Sequence, residues 1–568
     1  MLRFYKTQDY GIIVGMEKLQ SNLEEIVERL FGERMRVELG LAPEGTGADY
    51  ATNVAMKLAK VARKSPMEIA EEIGREVESD EYEVSAAAPG FLNFRMRDDY
   101  FVEKVRELAT GGLVVEGDYA GKMVITEFSD PNPFKVLHVG HLYTSVVGDA
   151  ISRILERAGA KVVRANFGGD VGLHVGKTLW AMQQKHYSSG DISIEKIAQC
   201  YVEGTRAYEE DEKAKTEIVE LNKTLYRIAA MGKDASEALG GEEGELTKLY
   251  WCGRELSYEY FDEFYAKIGV KFDKYYPEST VADKGLEEVK AHIGTTYEES
   301  NGAIVYHGEK VGLHTRVFIN AQGVPTYETK DVGLIFTKWE DWHFDESVVI
   351  TGNEQTEYMK VVLASVKEYA PELVERTRHL THGMVKLPGS VKMSSRKGNF
   401  LRAVDVLEMV REELGGEEAD WKVVLAAIKY AFLKYKMGGD IVFDPKESVA
   451  MNGNSGVYLL YSAVRAKKIL QKAGKGGNEH GEMGEYERGL SKKIVQYEEI
   501  LRGAVEEKAP YKICNYLYEL AQEFSRFYEH VKVAGSEREG ELMGIVRGYL
   551  RVMEDGLGLL GIEVPEEM

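Results

Sequence analysis

Residues 122–172, KMVITEFSDPNPFKVLHVGHLYTSVVGDAISRILERAGAKVVRANFGGDVG, carry the pattern from which the architecture of this chain is inferred. The apolar start at 122–128 predicts a buried strand, and the proline-rich segment after it is typical of a turn. From Gly140 onward apolar residues recur at helical spacing, Gly159 is a stop signal, and 161–166 predict a second strand. This order predicts a βαβ unit whose loops lie at the carboxyl ends of parallel strands.

Two histidines, His138 and His141, flank Gly140 near the predicted helix start. A helix N-terminus favours anionic ligands, because its N–H groups are free and its dipole is positive there. Both imidazoles can donate hydrogen bonds to phosphate oxygens, and Gly140 leaves room for an adenine ring. Two histidines near a helix start are more often structural. The preceding strand and the following Gly169 and Asp170 favour ATP binding by all five residues.

A second motif, KMSSRKGN at residues 392–399, is basic and rich in hydroxyl groups. On its own such a loop is typical of solvated surface. Its lysine and hydroxyl side chains nevertheless suit a phosphoryl transition state, in which charge stabilisation dominates. The loop residues that we expect at ATP are Lys392, Met393, Ser394, Ser395 and Lys397.

The two motifs resemble the HIGH and KMSKS elements of class I aminoacyl-tRNA synthetases. Ser395 replaces the second lysine of KMSKS, a departure common among arginyl-tRNA synthetases, and Lys135 stands where that family places a compensating lysine. The resemblance to this family covers essentially the whole chain. The further segments that carry it, in chain order, are 49–55, 89–94, 164–172, 326–331, 440–444, 453–458 and 558–562.

The resemblance implies an arginine–tRNA ligase. Such an enzyme uses ATP with Mg²⁺ to convert L-arginine to arginyl-adenylate, and then transfers the arginyl group to the 3′ end of tRNA(Arg). His138, His141, Lys135 and Lys392 are the expected catalytic residues, and activation is expected to need bound tRNA. The three cysteines are widely separated and form no CxxC motif, so we expect neither zinc nor an organic cofactor.

The resemblance also implies the arginine site. A guanidinium group needs planar carboxylate partners, preferably in a partly desolvated site. Glu127 and Asn132 are expected to bind the ammonium and carboxylate region of the substrate, and Tyr327 and Asp331 to face its guanidinium. Gln355 is expected to contact the substrate as well, although the residues around it fit the family pattern only loosely. An ordinary exposed helical pair is the alternative for Tyr327 and Asp331.

The net charge of −22 is unfavourable for RNA binding as a whole, since affinity for phosphates comes from Lys and Arg. Two local basic runs, 57–64 and 465–475, stand against it, and each alone is more often a solvated face. In the family the N-terminal domain touches the tRNA elbow and the C-terminal bundle the anticodon. The residues expected to contact tRNA are therefore Asn53, Lys60, Tyr458, Tyr461 and Arg465. Aromatic residues at helical spacing are more often core.

The chain is expected to be a multidomain α/β plus all-α protein. We predict an N-terminal α+β domain at 1–112, a Rossmann-like HIGH-superfamily catalytic domain at 113–405 with an insertion at about 178–290, and a C-terminal helical anticodon-binding bundle at 406–568. No apolar run approaches the ~20 residues that span a bilayer, and the first residues do not begin a signal peptide. A cytoplasmic monomer is therefore expected.

Two other functions stay open at this point. Another HIGH-superfamily ligase could adenylylate a small molecule, but such an enzyme needs neither the N-terminal domain nor the long bundle. A non-catalytic paralogue could bind tRNA without reacting. The intact His138, His141, Lys392 and Asp331 argue against that second alternative.

Overall fold

The computed structural model describes residues 16–43, 46–77, 79–111, 119–236, 238–389, 401–472, 474 and 481–568. The predicted boundary at residues 112 and 113 lies outside these ranges, as does Lys475 of the second basic run. The ATP loop lies outside them as well, and its members stay predictions: Lys392, Met393, Ser394, Ser395 and Lys397.

The N-terminal unit is an antiparallel four-stranded sheet packed against helices, which confirms the predicted α+β class. Its elements, in chain order, are α1 (Glu17–Phe31), β1 (Gly40–Leu41), β2 (Tyr50–Thr52), α2 (Val54–Ala62), α3 (Pro66–Glu76), β3 (Tyr82–Ala87), β4 (Phe91–Met96) and α4 (Asp98–Thr110). The strands lie in the order β1–β2–β4–β3. Helix α3 begins with a capping box, in which Ser65 and Glu68 each bond the other's backbone N–H.

The central unit is built on a five-stranded parallel sheet in the order β12–β11–β5–β6–β7. Its elements up to the edge strand are β5 (Met123–Glu127), α5 (Val139–Arg157), β6 (Lys161–Gly168), α6 (Leu173–Gln184), α7 (Ile194–Glu210), α8 (Glu212–Met231), α9 (Lys233–Ser236), α10 (Gly241–Ile268) and β7 (Lys274–Pro277). Strands β5 and β6 pair in parallel, with Met123 opposite Lys161. The predicted βαβ unit is therefore confirmed.

The rest of the central unit returns to the other side of the sheet. Its elements are α11 (Glu278–Ala291), β8 (Glu298–Ser300), β9 (Ala303–Tyr306), β10 (Arg316–Ile319), α12 (Tyr327–Trp342), β11 (Glu346–Gly352), α13 (Thr356–Lys367), α14 (Pro371–Glu375), β12 (Thr377–His382) and β13 (Val385–Lys386). Strands β8, β9 and β10 form a small separate antiparallel sheet. Strand β11 pairs with β5 on one side and β12 on the other, which brings α12 beside β5.

The predicted insertion is helical where it leaves the parallel sheet. Helices α7 to α10 occupy the chain between β6 and β7. Strand β7 lies inside the range 178–290 and pairs with β6, with Asn166 opposite Tyr275. The sheet therefore resumes before residue 290, after helix α10 ends at Ile268. A strand of four residues is too short to show a period in the sequence.

The C-terminal unit is a helical bundle, as predicted. Its elements are α15 (Ala403–Glu413), α16 (Trp421–Leu433), β14 (Ile441–Val442), α17 (Pro445–Ser448), α18 (Gly456–Lys472), α19 (Glu485–Val495), α20 (Tyr497–Glu507), α21 (Pro510–His530) and α22 (Glu539–Leu559). The bundle packs directly on α5, because one apolar core includes Val146 and Ile151 of α5 together with Ile428 and Val552. In the described parts of the chain, no helix is both long enough and apolar enough to cross a bilayer.

Two cations of α19 join the N-terminal unit to the bundle, namely Arg488 and Lys492, whose Nζ lies 3.4 Å from Asp49. Arg488 of α19 donates to Asp49 (2.6 Å) and to the backbone oxygen of Met96 (2.7 Å), and it also pairs with Asp98. Asp49 is almost fully buried and accepts a bond from the Met96 N–H as well. The two units are therefore fixed to each other by a largely desolvated ion pair.

We expect Arg488→Met to loosen this junction, because buried Asp49 would keep only the longer contact to Lys492 and Asp98 would lose the Arg488 guanidinium. Removing one member of a buried ion pair costs about 3 kcal/mol. Hydrogen–deuterium exchange in β4 should accelerate to match a local opening free energy lowered by about that amount. Arg75→Met is the matched control, since Arg75 pairs with Glu71 on the exposed face of α3. Unchanged exchange in the Arg488 variant would contradict the assignment.

Candidate active site

The loop between β5 and α5 forms one edge of the site and has an unusual backbone. Three of its non-glycine residues have left-handed φ values, namely Ser129 (74°), Asp130 (50°) and Phe134 (65°). Such residues cost free energy and persist only where other contacts hold them. Here the Asp130 carboxylate accepts from Phe167 N (2.7 Å), and Asn132 Oδ1 accepts from Gly169 N (2.9 Å). The loop is thereby fastened to the end of β6.

The two imidazoles stand together at the N-terminus of α5. His138 is the residue that caps the helix, and its Nδ1 accepts from Gly140 N (3.0 Å). His141 Nδ1 in turn accepts from His138 N (3.2 Å), and the two rings stack with centroids 3.8 Å apart. Because both Nδ1 atoms are acceptors, the proton of each neutral ring sits on Nε2. Each ring can therefore donate one N–H to a ligand.

Both imidazoles are neutral at physiological pH. Burial, together with the nearby Lys135 ammonium and His382, lowers the pKa of His138 to about 4. The pKa of His141 falls well below its usual value, because that ring is buried beside His138 and Lys135. Neutral N–H donors of this kind stabilise developing negative charge without a change of protonation.

Lys135 lies close behind the histidines, next to the insertion. Its ammonium is 5.0 Å from the ring centroid of Tyr201 on α7. The pKa of Lys135 is lowered to about 8, mainly by burial and also by the charge of Lys177, while the charge of Glu278 acts in the opposite direction. Lys135 thus lies beside the imidazoles and near the charge of Lys177. This is the position at which the family resemblance predicts a compensating lysine.

A cleft of about 870 Å³ opens at the carboxyl ends of β5, β6 and β11. It brings together residues from distant parts of the chain, from Glu127 at the end of β5 to Leu401 just before α15. The sequence-predicted residues on its wall are Glu127, Asn132, His138, Gly140, His141, Tyr327, Asp331 and Gln355. The imidazoles and the acidic residues therefore face one common space.

Asp331 is the acidic group at one side of the cleft. It is nearly buried, one turn after the half-exposed Tyr327, so an ordinary exposed pair does not describe these residues. The Tyr358 hydroxyl donates to Asp331 Oδ2. The pKa of Asp331 is raised to about 8, chiefly by burial; the Tyr358 hydrogen bond acts to lower it, and the charges of Glu127 and Glu278 act to raise it. Without a cation beside it, this carboxylate therefore resists ionisation.

Sequence reasoning missed two residues beside Asp331. Glu278, the first residue of α11, is buried, lines the cleft and pairs with Lys330. Burial raises the pKa of Glu278, while Lys330 lowers it. Tyr358 also lines the cleft. Glu278 could have been found from the junction between a strand and a helix, which lies inside the predicted insertion. Tyr358 has no local sequence pattern that marks it, because it acts through its contact with Asp331.

Gly169 and Asp170 are placed differently from the other predicted ATP residues, and neither belongs to the cleft wall. The Asp170 carboxylate accepts from Ser279 N (2.9 Å), Ser279 Oγ (2.6 Å) and Arg254 Nε (2.9 Å). A Cβ on Gly169 would come within 2.5 Å of Asn132 Oδ1. Here Asp170 fastens the start of α11, and Gly169 permits close packing of the loop behind the histidines.

The predicted tRNA residues fall into two separate groups. Lys60 is exposed on α2, whereas Asn53 precedes that helix and its Oδ1 is buried. In the bundle, the Arg465 guanidinium lies 4.6 Å from the ring centroids of both Tyr461 and Tyr528. Tyr458 is half-buried and bonds to Ser525 (3.1 Å). The second group is a partly exposed aromatic and cationic surface.

Three family models match successive parts of the chain. The model described as tRNA synthetases class I (R), catalytic domain, matches residues 107–443. The arginyl tRNA synthetase N terminal domain matches 17–96, and the DALR anticodon binding domain matches 459–568.

Similar proteins of known name extend over nearly the whole length. The arginine–tRNA ligase of Bacteroides fragilis is 30% identical, over 91% of this chain and 94% of its own. That of Treponema denticola is 29% identical, over 96% of each chain. The solved arginyl-tRNA synthetase of Thermus thermophilus has a TM-score of 0.77 and 25% identity, and covers 98% of this chain and 100% of its own. The chain therefore belongs to the family of class I arginyl-tRNA synthetases.

Proposed function

We propose that this protein is an arginine–tRNA ligase, which joins L-arginine to the 3′ end of tRNA(Arg) at the expense of ATP. The observation that carries the proposal is one cleft with two neutral imidazole donors on one wall and the buried carboxylate of Asp331 on another. The donors suit a phosphate chain and the carboxylate suits a guanidinium. Family membership and the lengthwise match to named arginine–tRNA ligases support the same function.

ATP binds on the histidine side, where it arrives as its magnesium complex. The N-terminus of α5 and the Nε2–H groups of His138 and His141 receive phosphate oxygens, and Gly140 leaves the backbone accessible. Lys135 and the loop that contains Lys392 add positive charge. In the described ranges, no group of three or more His, Cys, Asp or Glu side chains is arranged to hold a metal ion. The magnesium ion enters with the phosphates of ATP and is part of the substrate.

Arginine binds on the acidic side. Asp331 and Glu278 accept hydrogen bonds from the guanidinium, with Tyr327 beside them, and Glu127 receives the ammonium. Asn132 and Gln355 lie on the same wall and complete the polar contacts. A site built around a planar cation discriminates well against other amino acids, since a neutral side chain would leave buried carboxylates unpaired.

The reaction proceeds in two steps. An oxygen of the arginine carboxylate attacks the α-phosphorus of ATP, a new P–O bond forms, and the bond to the leaving pyrophosphate breaks. The imidazole N–H groups and Lys135 stabilise the charge that moves toward pyrophosphate. The terminal ribose hydroxyl of tRNA then attacks the adenylate carbonyl and releases AMP. Positioning and electrostatics account for the catalysis, without a nucleophile from the protein.

The tRNA is proposed to bind along the N-terminal unit and the bundle, with Lys60 near the elbow and Arg465, Tyr461 and Tyr458 near the anticodon. Tyrosine rings and a guanidinium suit unpaired bases, on which they can stack. We also propose that the protein works as a cytoplasmic monomer.

The first test is ATP–pyrophosphate exchange with each of the twenty amino acids, with and without total tRNA. We expect exchange with arginine alone, and only when tRNA is present. Exchange with a different amino acid would mean that Asp331 and Glu127 have been misassigned. Folded protein that shows no exchange under any condition would favour a tRNA-binding module.

A second test concerns the imidazole donors. His138→Asn keeps an acceptor that can cap α5 but removes the Nε2–H group. We expect kcat for exchange to fall by about 10²–10³, since one preorganised donor is lost, while KM for arginine stays the same. His314→Ala, at an exposed histidine in the loop before β10, is the control. A His138→Asn enzyme with normal kcat would exclude this donor role.

A third test uses the raised pKa of Asp331. Since the guanidinium binds the ionised carboxylate, a pKa of about 8 before arginine binds makes binding weaker at low pH. KM for arginine should therefore fall about 25-fold between about pH 6.5 and about pH 8.5, as the ionised fraction of Asp331 rises. Tyr358→Phe should move this change to higher pH, because the hydroxyl lowers the pKa of Asp331. An Asp331→Asn enzyme should show a high KM at every pH. A wild-type KM independent of pH would refute the assignment.

A further inference from the structure

A buried lysine holds Glu127 from behind the cleft. Lys338 Nζ lies 2.5 Å from Glu127 Oε2 and 3.0 Å from Ser347 Oγ. The Lys338 side chain is 1% exposed and that of Glu127 is 4% exposed. Ser347 is on β11, which pairs with β5 in the register that sets Val349 opposite Glu127. The Lys338 ammonium is thus enclosed by Glu127 on β5 and Ser347 on the neighbouring strand β11.

The same helix carries the groups at the other side of the arginine site. Tyr327, Asp331 and Lys338 all belong to α12 and are spaced by four and then seven residues. These spacings place the three side chains along one face of the helix. From Asp331 to Lys338 the helix rises ~10.5 Å, at ~1.5 Å per residue. One rigid element therefore sets the position of Asp331 directly and that of Glu127 through Lys338.

We propose that Lys338 is a positioning residue that fixes Glu127 at a set distance from Asp331, so that α12 determines the length of amino acid that the site accepts. The proposal rests on the proposed function, in which Glu127 receives the substrate ammonium and Asp331 its guanidinium. Lys338 touches neither substrate nor ATP. It acts by restricting the carboxylate of Glu127 to one position.

The physical basis is the cost of a mismatch. Arginine satisfies both carboxylates at once, because its ammonium and guanidinium are separated by a side chain of matching length. An analogue with one methylene more or less can reach only one of them and loses the charge-assisted hydrogen bonds to the other. If Glu127 could move, it would follow the shorter or longer analogue, and the discrimination would be lost.

The test is ATP–pyrophosphate exchange in the presence of tRNA with three amino acids. These are arginine, homoarginine, which is one methylene longer, and 2-amino-4-guanidinobutanoic acid, which is one methylene shorter. In Lys338→Met we expect KM for arginine to rise about 10- to 100-fold, with little change in kcat or in KM for ATP. The preference for arginine over both analogues should shrink by about tenfold. Lys338→Arg, which keeps a cation, should recover most of both properties.

Two further variants separate positioning from a general loss of structure. Ser347→Ala removes only the second acceptor of Lys338 and should produce the same changes in weaker form, even if Lys338→Met fails to fold. Adding Lys338→Met to Glu127→Gln should have little extra effect on KM for arginine, because both act through one carboxylate. Lys360→Met is the matched control, since Lys360 is exposed on α13 and pairs with Glu357.

The possible outcomes are distinct. A folded Lys338→Met or Ser347→Ala enzyme with unchanged preference among the three amino acids would overturn the proposal, as would an equal loss for all three. If the wild-type protein shows no exchange with arginine, the proposed function itself fails, before the variants are compared.

Discussion

The burial of helix α5 determines where the two imidazoles stand. Of its 19 residues 14 are buried, because the parallel sheet covers one side and the bundle the other. Gly148 lets the helix approach β5 so closely that a Cβ there would lie 2.1 Å from the Phe128 ring. At its far end Arg157 pairs with Asp555 of α22, which also accepts from Tyr497 (2.5 Å). The N-terminus of α5 is the end left open to the cleft, and it carries the hydrogen-bond donors.

Charge is distributed unevenly around this helix end. The neutral imidazoles, with Lys135 behind them, form one wall, whereas the opposite wall holds several carboxylates, three of which pair with protein cations. Lys330 pairs with Glu278, Lys338 with Glu127, and Arg316 with Glu328 at 3.0 Å. Buried ion pairs contribute little net stability, but they hold these carboxylates in place. The acidic wall can thus exist inside a protein whose net charge is already −22.

The sequence was most informative where chemistry and periodicity are local. Strand β5, helix α5 and strand β6 were predicted within about two residues, since each has a clear period and the prolines and glycines mark its ends. The histidine pair was recognisable because both members lie within one turn. Asp331 and Tyr327 were found through resemblance to a family, and in the structure they line the same cleft as the two histidines.

Other features depend on contacts between distant segments, which no local pattern records. Lys338 can bond both Glu127 and Ser347 only because β11 lies beside β5. Asp170 is predicted from its local motif to bind ATP, and in the structure its carboxylate accepts hydrogen bonds from Ser279 and Arg254, which lie more than eighty positions away. Strand β7 is too short to show a period in the sequence, and it is a strand because it pairs with β6. In each case the tertiary partner, and not the residue itself, decides the role.

The junction at Arg488 has a mechanical consequence. The N-terminal unit is attached to the bundle by this guanidinium, and α4 also lies close to α22, where a Cβ on Gly548 would come within 2.7 Å of Val105. The surfaces proposed to bind the elbow and the anticodon are consequently held at a fixed distance from each other. An L-shaped nucleic acid whose arms do not match that distance could bind one surface but not the other. On the proposed contacts, overall shape as well as base identity therefore contributes to the choice of tRNA.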